Sequence, residues 1–215
     1  NGTVSFLHKP SPPNGVHEGE GGSVAQSGNL TLVGAHLASV NGQSIAGAAY
    51  LYRLEHNGSL SLLHRITAPD PTVGDLFGSN VSQFGNLIVI GSPGSDPNGI
   101  SQGGAAYLYR LEANGSLTHL HKITAPDAAE NDQFGGHLGN SSIAQYDNLI
   151  AIGATNADPN GVNGAGAVYL YRFEDNGSVS FLQKLIAPRG HEIGVFGKSI
   201  SLFERTLTIG TDGED

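Results

Sequence analysis

Cysteine, methionine and tryptophan are all missing from these 215 residues, and only 13% of the chain is Asp, Glu, Lys or Arg. Without cysteine there is no disulfide staple, no thiol nucleophile and no thiolate metal site. Ten basic residues against nineteen acidic ones leave a formal charge of −9. That is the wrong sign for a groove that neutralises phosphates, or for docking on anionic lipid. No run approaches eighteen apolar residues, so no membrane-spanning helix is expected. Nucleic acid and membrane insertion are therefore left out of the expected partners. So low a charge fraction also does not suit a disordered polyelectrolyte. Catalytic signatures are wanting too. There is no Gly-x-Ser-x-Gly elbow and no Walker-type loop. No pair of carboxylates is seen to converge as acid–base chemistry requires. The expectation is a protein that is not an enzyme.

Glycine is the residue in excess, with 32 copies, about twice the usual share. Without a collagen period, this means many turns and short elements, which excludes a helical bundle. The turns are periodic. Asn-Gly followed by Ser or Thr starts at Asn1, Asn57, Asn114 and Asn176, giving a unit of roughly 57 residues. The repeats run over about 1–56, 57–113, 114–175 and 176–215, the last incomplete, as one segment. Each turn is followed by an alternating run such as Leu60-Ser61-Leu62-Leu63-His64-Arg65, and Ala-Pro closes three of these runs at Pro69, Pro126 and Pro188. Phe-Gly comes next, at Phe77-Gly78, Phe134-Gly135 and Phe196-Gly197, with Glu20-Gly21 in the first unit. An apolar run then ends in Gly34, Gly91, Gly153 or Gly210. Last come Tyr50-Leu51-Tyr52, Tyr107-Leu108-Tyr109 and Tyr169-Leu170-Tyr171.

Each unit thus holds four strand-length runs. The third and fourth should form a hairpin across Asn-Gly, expected as a type I′ turn with both central residues at positive φ. The first and second are joined by tight turns such as Gln83-Phe84-Gly85-Asn86. A four-stranded unit of this size cannot bury both its faces alone, but stacked units can. Four short antiparallel strands per unit favour radial stacking into a β-propeller over a linear solenoid.

The order Phe-Gly, apolar-apolar-Gly-Ala/Ser, Gly-x-x-Tyr-x-Tyr resembles the FG-GAP repeat of the integrin α-chain propeller and of many bacterial secreted proteins. The fullest match runs from Ile123 to Pro188, and the likeness extends over essentially the whole chain. It implies an all-β propeller of four-stranded antiparallel blades, here about three complete blades plus partial terminal strands. The parent ring would be seven-bladed. It also implies an extracellular or cell-surface location, which the lack of cysteine fits. In the family, an Asp-x-Asp-x-Asp-Gly-like loop between strands one and two binds calcium. Here that loop has shrunk to about four residues, such as Gln145-Tyr146-Asp147-Asn148. One carboxylate cannot satisfy a cation that takes 6–8 oxygens, so no integrin-type calcium and no cofactor is expected.

Phe77, Phe134 and Phe196 are expected to wedge between blades, with Gly78, Gly135 and Gly197 passing the backbone close by. At Gly34, Gly91 and Gly153 a side chain would crowd the next loop. Tyr50, Tyr107 and Tyr169 share a strand face with the tyrosines two residues on. They suit inter-blade packing with hydroxyls on polar partners, or an aromatic ligand platform. Asp96, Asn98, Asp158 and Asn160 lie in Asp-Pro-Asn-Gly segments, which read as turns or as weak cation or ligand sites. Asp70 with Asp75, and Asp127 with Asp132, read as caps of local amides. His8, His64 and His121 repeat one slot on successive units, too far apart to share a metal, and read as solvated edge residues. His119 and His121 lie on one face and could pair weakly. Asn-x-Ser/Thr sequons, including Asn29, Asn80 and Asn140, read first as turn chemistry.

The chain opens within a turn and closes just after a second strand. It reads as a piece of a longer propeller, or as a chain completed by its neighbours through unpaired blade edges. The function expected is recognition or adhesion, with a protein or glycan partner bound at propeller loops. A structural assembly subunit is the alternative.

Overall fold

The computed structural model describes residues 18–136, 141–188 and 192–212. The first Asn-Gly turn, the run Val4–Lys9 with His8, the sequon at Asn140, and Arg189 lie outside the described residues. Among the described residues fourteen strands follow one another: β1 (Glu20–Ser27), β2 (Leu30–Ala35), β3 (Ala48–Leu54), β4 (Leu60–Ile66), β5 (Val81–Phe84), β6 (Leu87–Ser92), β7 (Ala105–Leu111), β8 (Leu117–Ile123), β9 (Ile143–Tyr146), β10 (Leu149–Ala154), β11 (Ala167–Phe173), β12 (Val179–Leu185), β13 (Ser199–Phe203) and β14 (Thr206–Gly210). They form three four-stranded sheets in plain sequence order, β1–β4, β5–β8 and β9–β12, and a two-stranded sheet β13–β14. All pairing within the sheets is antiparallel.

Burial is graded across each sheet. β6 and β7 are buried on both faces along most of their length, while β8 has several exposed positions. This is why the second and third runs of each unit are nearly continuous apolar stretches, whereas the fourth carries Ser, Thr, His and Lys. The first strands lie side by side, β1 next to β5, β5 next to β9 and β9 next to β13. They are cross-linked by the Val81 N–H donating to Ser23 Oγ (3.0 Å), the Ser142 N–H donating to Asn80 Oδ1 (3.1 Å) and the Ile200 N–H donating to the Ser141 carbonyl (2.8 Å). Four-stranded sheets packed face to face, with their first strands innermost, are the blades of a propeller.

The cores lie between blades. Leu32, Ala49, Leu51 and Ile66 of the first sheet cluster with Phe77, Ile88, Ile90, Tyr107 and Tyr109 of the second. Val89, Leu108 and Ile123 repeat this against Phe134, Ile150, Ile152, Tyr169 and Tyr171 of the third. Phe77 and Phe134 are wholly buried. Each sits edge-on to the first tyrosine of its own blade, at 5.4 Å for Tyr107 and 5.5 Å for Tyr169. Burying such a ring contributes about 1.5–3 kcal/mol. Phe196 is only half-buried; it packs beside Val168 and Ile200, where β13 and β14 present no tyrosine-bearing strand.

The glycine after each Phe closes the joint. Gly78 has φ +90° and its N–H donates to the Gly91 carbonyl at 2.9 Å, within its own blade. Its carbonyl lies against Gly34 of the preceding blade, so closely that a Cβ on Gly34 would stand 2.0 Å from that oxygen. Gly91 stands in the same relation to the Gly135 carbonyl, and Gly153 to that of Gly197.

The Asn-Gly hairpins differ from the expected type I′ form. Gly58, Gly115 and Gly177 have φ of 82°, 84° and 83°, but Asn57, Asn114 and Asn176 do not join the residues at positive φ. The Gly58 N–H donates to the Glu55 carbonyl (2.9 Å) and the Glu55 N–H to the Ser59 carbonyl (2.8 Å). This is the longer loop, a turn followed by one left-handed glycine. The reason lies in the third residue. Asn57 Oδ1 accepts from both the N–H and the hydroxyl of Ser59, at 3.0 and 2.7 Å, and Asn114 and Asn176 do the same with Ser116 and Ser178. The asparagine side chain thus mimics a backbone turn.

Two glycines separate packing from backbone strain. Gly34→Ala should cost more than about 3 kcal/mol, because the contact is backbone on backbone. Gly58→Ala, with φ +82° and nothing within 4 Å of the new Cβ, should cost only about 1 kcal/mol. Thermal unfolding monitored by circular dichroism compares them, and equal losses would contradict the account of the joint.

Candidate functional site

The seams between blades carry a repeated polar clamp. Antiparallel register sets Tyr107 opposite Lys122 and Tyr169 opposite Lys184. Both side chains then reach the aspartate that follows Ala-Pro at the end of the preceding blade. Tyr107 Oη donates to Asp70 Oδ1 (2.8 Å) while Lys122 Nζ donates to Asp70 Oδ2 (2.7 Å). Tyr169 and Lys184 hold Asp127 at the same distances. Each ammonium also stands over its tyrosine ring, at 5.3 and 5.2 Å. The second tyrosines donate to backbone, Tyr109 to the Thr67 carbonyl (2.8 Å) and Tyr171 to that of Thr124 (2.9 Å). In the first blade the parts are exchanged but the arrangement persists. Tyr50 Oη donates to Glu18 Oε2 (2.5 Å), and Arg65 Nε donates to the Tyr50 oxygen (3.1 Å).

Asp70 and Asp127 are therefore cross-blade acceptors rather than local caps. Asp75 and Asp132 are the caps: Asp75 accepts from the Thr72 N–H and hydroxyl, both at 2.6 Å, and Asp132 accepts from the Ala129 N–H at 2.8 Å. The histidine slot is a fastening as well. His64 Nε2 lies 2.8 Å from the Gly115 carbonyl and His121 Nε2 lies 2.6 Å from that of Gly177, each on the hairpin of the next blade. His119 instead leans on the rings of Tyr107 and Tyr109, and burial lowers its pKa.

Titration follows from these contacts. Burial raises Tyr50 to about 12, reinforced by its bond to Glu18. Tyr107 and Tyr169 rise further, by burial and by their aspartates. Burial works against the charged forms of Asp70 and Asp127, but the lysine and tyrosine donors outweigh it and hold both below the ordinary carboxylate value. Asp132, with only a backbone donor, is pushed up by burial.

The Asp-Pro-Asn-Gly segments are single 3₁₀ turns, Pro97–Gly99 and Pro159–Gly161, with Asn98 and Asn160 at φ 54° and 57°. Asp96 Oδ1 accepts from the Gln102 N–H and Asp158 Oδ1 from the Gly164 N–H, both at 2.7 Å, so each carboxylate closes its own loop. Asp96 and Asn98 are one blade away from Asp158 and Asn160. The latter pair does meet other acids. With Asp127, Glu130 and Asp132 it lines a groove of ≈ 480 Å³ between the second and third blades. Lys184, at its edge, is bonded to Asp127. Hydrogen bonds already engage Asp127, Asp132 and Asp158, whereas Glu130 is exposed. Among the described residues no cluster of three or more His, Cys, Asp or Glu is arranged to hold a metal ion.

The aspartate of Ala-Pro-Asp and the Tyr/Lys cross-strand pair are functional contacts that sequence reasoning overlooked. Their signal was present, since Asp70 and Asp127 recur at one place, but the partner is a strand about 40 residues later.

Repeated blades, joined through glycine and tyrosine seams, define a repeat scaffold of the β-propeller class. The chain carries FG-GAP repeats: the FG-GAP repeat family model matches residues 61–109 and 117–171. No curated protein matches the sequence. Among solved structures, the periplasmic gluconolactonase PpgL of Pseudomonas aeruginosa is similar at 13% identity and TM-score 0.48, over 85% of this chain and 40% of that one. Sqt1 from Chaetomium thermophilum is similar at 16% identity and TM-score 0.46, over 81% and 38%. The chain thus spans about two fifths of the length of either.

The clamp gives a pH signature. A depressed carboxylate contributes stability above its unfolded pKa, about 3.9, and loses it as pH falls through the folded value. Asp132, pushed up by burial, contributes a slope of opposite sign. Asp70 and Asp127 are half-exposed, so each pair is worth roughly 0.5–1 kcal/mol. Urea unfolding between pH 7 and 2 should show stability falling below about pH 4, and Asp70→Asn/Asp127→Asn should be less stable at pH 7 with a flatter acid limb. An unchanged limb in the double variant would refute the clamp.

Proposed function

We propose that this protein is a non-catalytic recognition scaffold acting outside the cell, with its blades serving structure and its loop end serving contact. The carrying observation is the acidic groove of ≈ 480 Å³ built from the β8–β9 and β10–β11 loops. Its carboxylates Asp127, Asp132 and Asp158 bond within their own loops or across the seam, and none of the acids lining it belongs to the apolar core clusters. Exposed apolar side chains stand on loops at the same end of the blades: Leu37 at 47%, Ile45 at 40%, Val73 at 66% and Ile193 at 73%. Acidic and apolar groups together suit a protein partner offering basic and apolar side chains. A glycan is the other class of partner that suits a loop end of this kind. No cofactor enters this reading.

Self-association is the second reading, supported by one observation. β2, β6 and β10 each pair on both sides, whereas β14 pairs with β13 alone among the described residues. A strand edge of this sort is a template for another chain.

The two readings separate in one experiment. The chain is screened against cell-surface protein and glycan arrays, with its mass followed by light scattering. Saturable binding is expected, weakened at least about tenfold by Glu130→Lys, which reverses an exposed charge without touching the core. Binding should survive EGTA. Absence of saturable binding, or indifference to Glu130→Lys, overturns the loop-end reading. A concentration-dependent oligomer in its place supports the assembly reading.

A further inference from the structure

At the other end of the blades the inner strands end in aromatic residues. Phe84 closes β5, Tyr146 closes β9 and Phe203 closes β13. Their rings follow one another across three neighbouring blades, 4.9 Å from Phe84 to Tyr146 and 5.1 Å from Tyr146 to Phe203. They are not core. Phe84 is 37% exposed and Phe203 is 62% exposed. The first blade has Ser27 in this slot, and its hydroxyl oxygen accepts from the Gly85 N–H at 2.9 Å. Exposing large rings side by side is unfavourable for a solvated surface, and such groups mark contact sites more often than chance.

The same strands line a groove of ≈ 390 Å³ along the inner edge of the blades, within the ~300–1,000 Å³ of small-ligand sites. Its walls include Val24, Ser82, Gln83, Gln145, Ser201 and Leu202, and none of the described residues lining it is charged. In a chain of net charge −9 that neutrality is a selective feature.

Two of the lining side chains are incomplete. Gln83 and Gln145 are 8% and 7% exposed. Each donates its amide N–H₂ to a backbone carbonyl at 3.3 Å, Gln83 to Gly85 and Gln145 to Leu87. Each leaves its carbonyl oxygen buried without a hydrogen-bond partner. A buried acceptor without a donor is costly and is found where a ligand or solvent supplies the donor. The two glutamines immediately precede Phe84 and Tyr146 in β5 and β9, so the groove runs along the strands that carry two rings of the aromatic row.

We propose that this inner groove and its aromatic rim bind a neutral saccharide. The chemistry matches part by part. Sugar C–H faces pack on exposed aromatic rings, while Gln83, Gln145, Ser82 and Ser201 line the groove with amide and hydroxyl groups that give and accept hydrogen bonds. A charged ligand has no counter-charge there. An extended peptide would need a continuous free strand edge, but the inner strands are bonded to each other at Val81, Ser142 and Ile200. This site lies at the opposite end of the blades from the acidic groove and does not depend on it.

The test titrates the 215-residue chain with cellotetraose, maltotetraose and chitotetraose, using saturation-transfer NMR and calorimetry. A capped Ser/Val hexapeptide is the comparison probe. At least one tetrasaccharide should bind saturably. Tyr146→Ala and Phe203→Ala should each weaken it about tenfold or more, while Tyr146→Phe retains it. Phe203 is exposed, so its variant tests binding without threatening the fold. Glu130→Lys should leave saccharide binding unchanged. The proposal is overturned if none of the three sugars binds, if binding ignores both aromatic variants, if Glu130→Lys abolishes it, or if the hexapeptide binds through the same rings instead. Failure here would leave the loop-end partner, read by Glu130→Lys on the arrays, standing or falling separately.

Discussion

The structure depends on one contact, in which the backbone of one blade lies directly on the backbone of the next. The Gly78 carbonyl occupies the space where any other residue at position 34 would place its Cβ. Neither glycine contributes attraction worth naming. What they contribute is distance, since only with the two backbones this close can Phe77 fill the seam beside Leu51 and Tyr107 without leaving a void. Without that approach, apolar sheets of this size would stay exposed on one face, and no single unit has residues enough to cover it.

From that joint the rest of the seam follows. Inside, it is apolar. At its rim it becomes polar, with Tyr107, Lys122 and Asp70 closing one seam and Tyr169, Lys184 and Asp127 the next. On the outer strand, His64 and His121 reach the hairpins of their neighbours. Apolar packing supplies most of the stabilisation, while directed hydrogen bonds fix the register in which one blade meets another. A repeat built this way has two chemically different ends. Loops rich in Asp and Glu gather where the first strands begin, and aromatic residues gather where they finish.

Much of this was legible because the sequence says the same thing several times. Phe-Gly, the terminal glycine of the second run and Tyr-x-Tyr each recur in fixed order, and a pattern repeated at one spacing forces a repeated contact. Two of the misreadings share one cause, which is that a residue's partner lay in another blade. Asp70 looked like a cap for its own loop, as Asp75 is, because the tyrosine and lysine it binds are far along the chain. His64 looked solvated because the carbonyl it meets belongs to the following hairpin. The Asn-Gly turn was misjudged for a local reason: the serine after it gives the asparagine side chain a competing partner.

The amino-acid sequence by itself determined the strands, the length of the unit and the small residues where blades touch, because period-two alternation, turn chemistry and the absence of a Cβ are local properties. Only the tertiary structure decided which acids share a groove, which glutamine oxygens are left without a donor, and that Phe84, Tyr146 and Phe203 form one row. Those are relations between blades, set by the angle and closeness at which the sheets pack, and residues about 60 positions apart acquire them only when the seam closes.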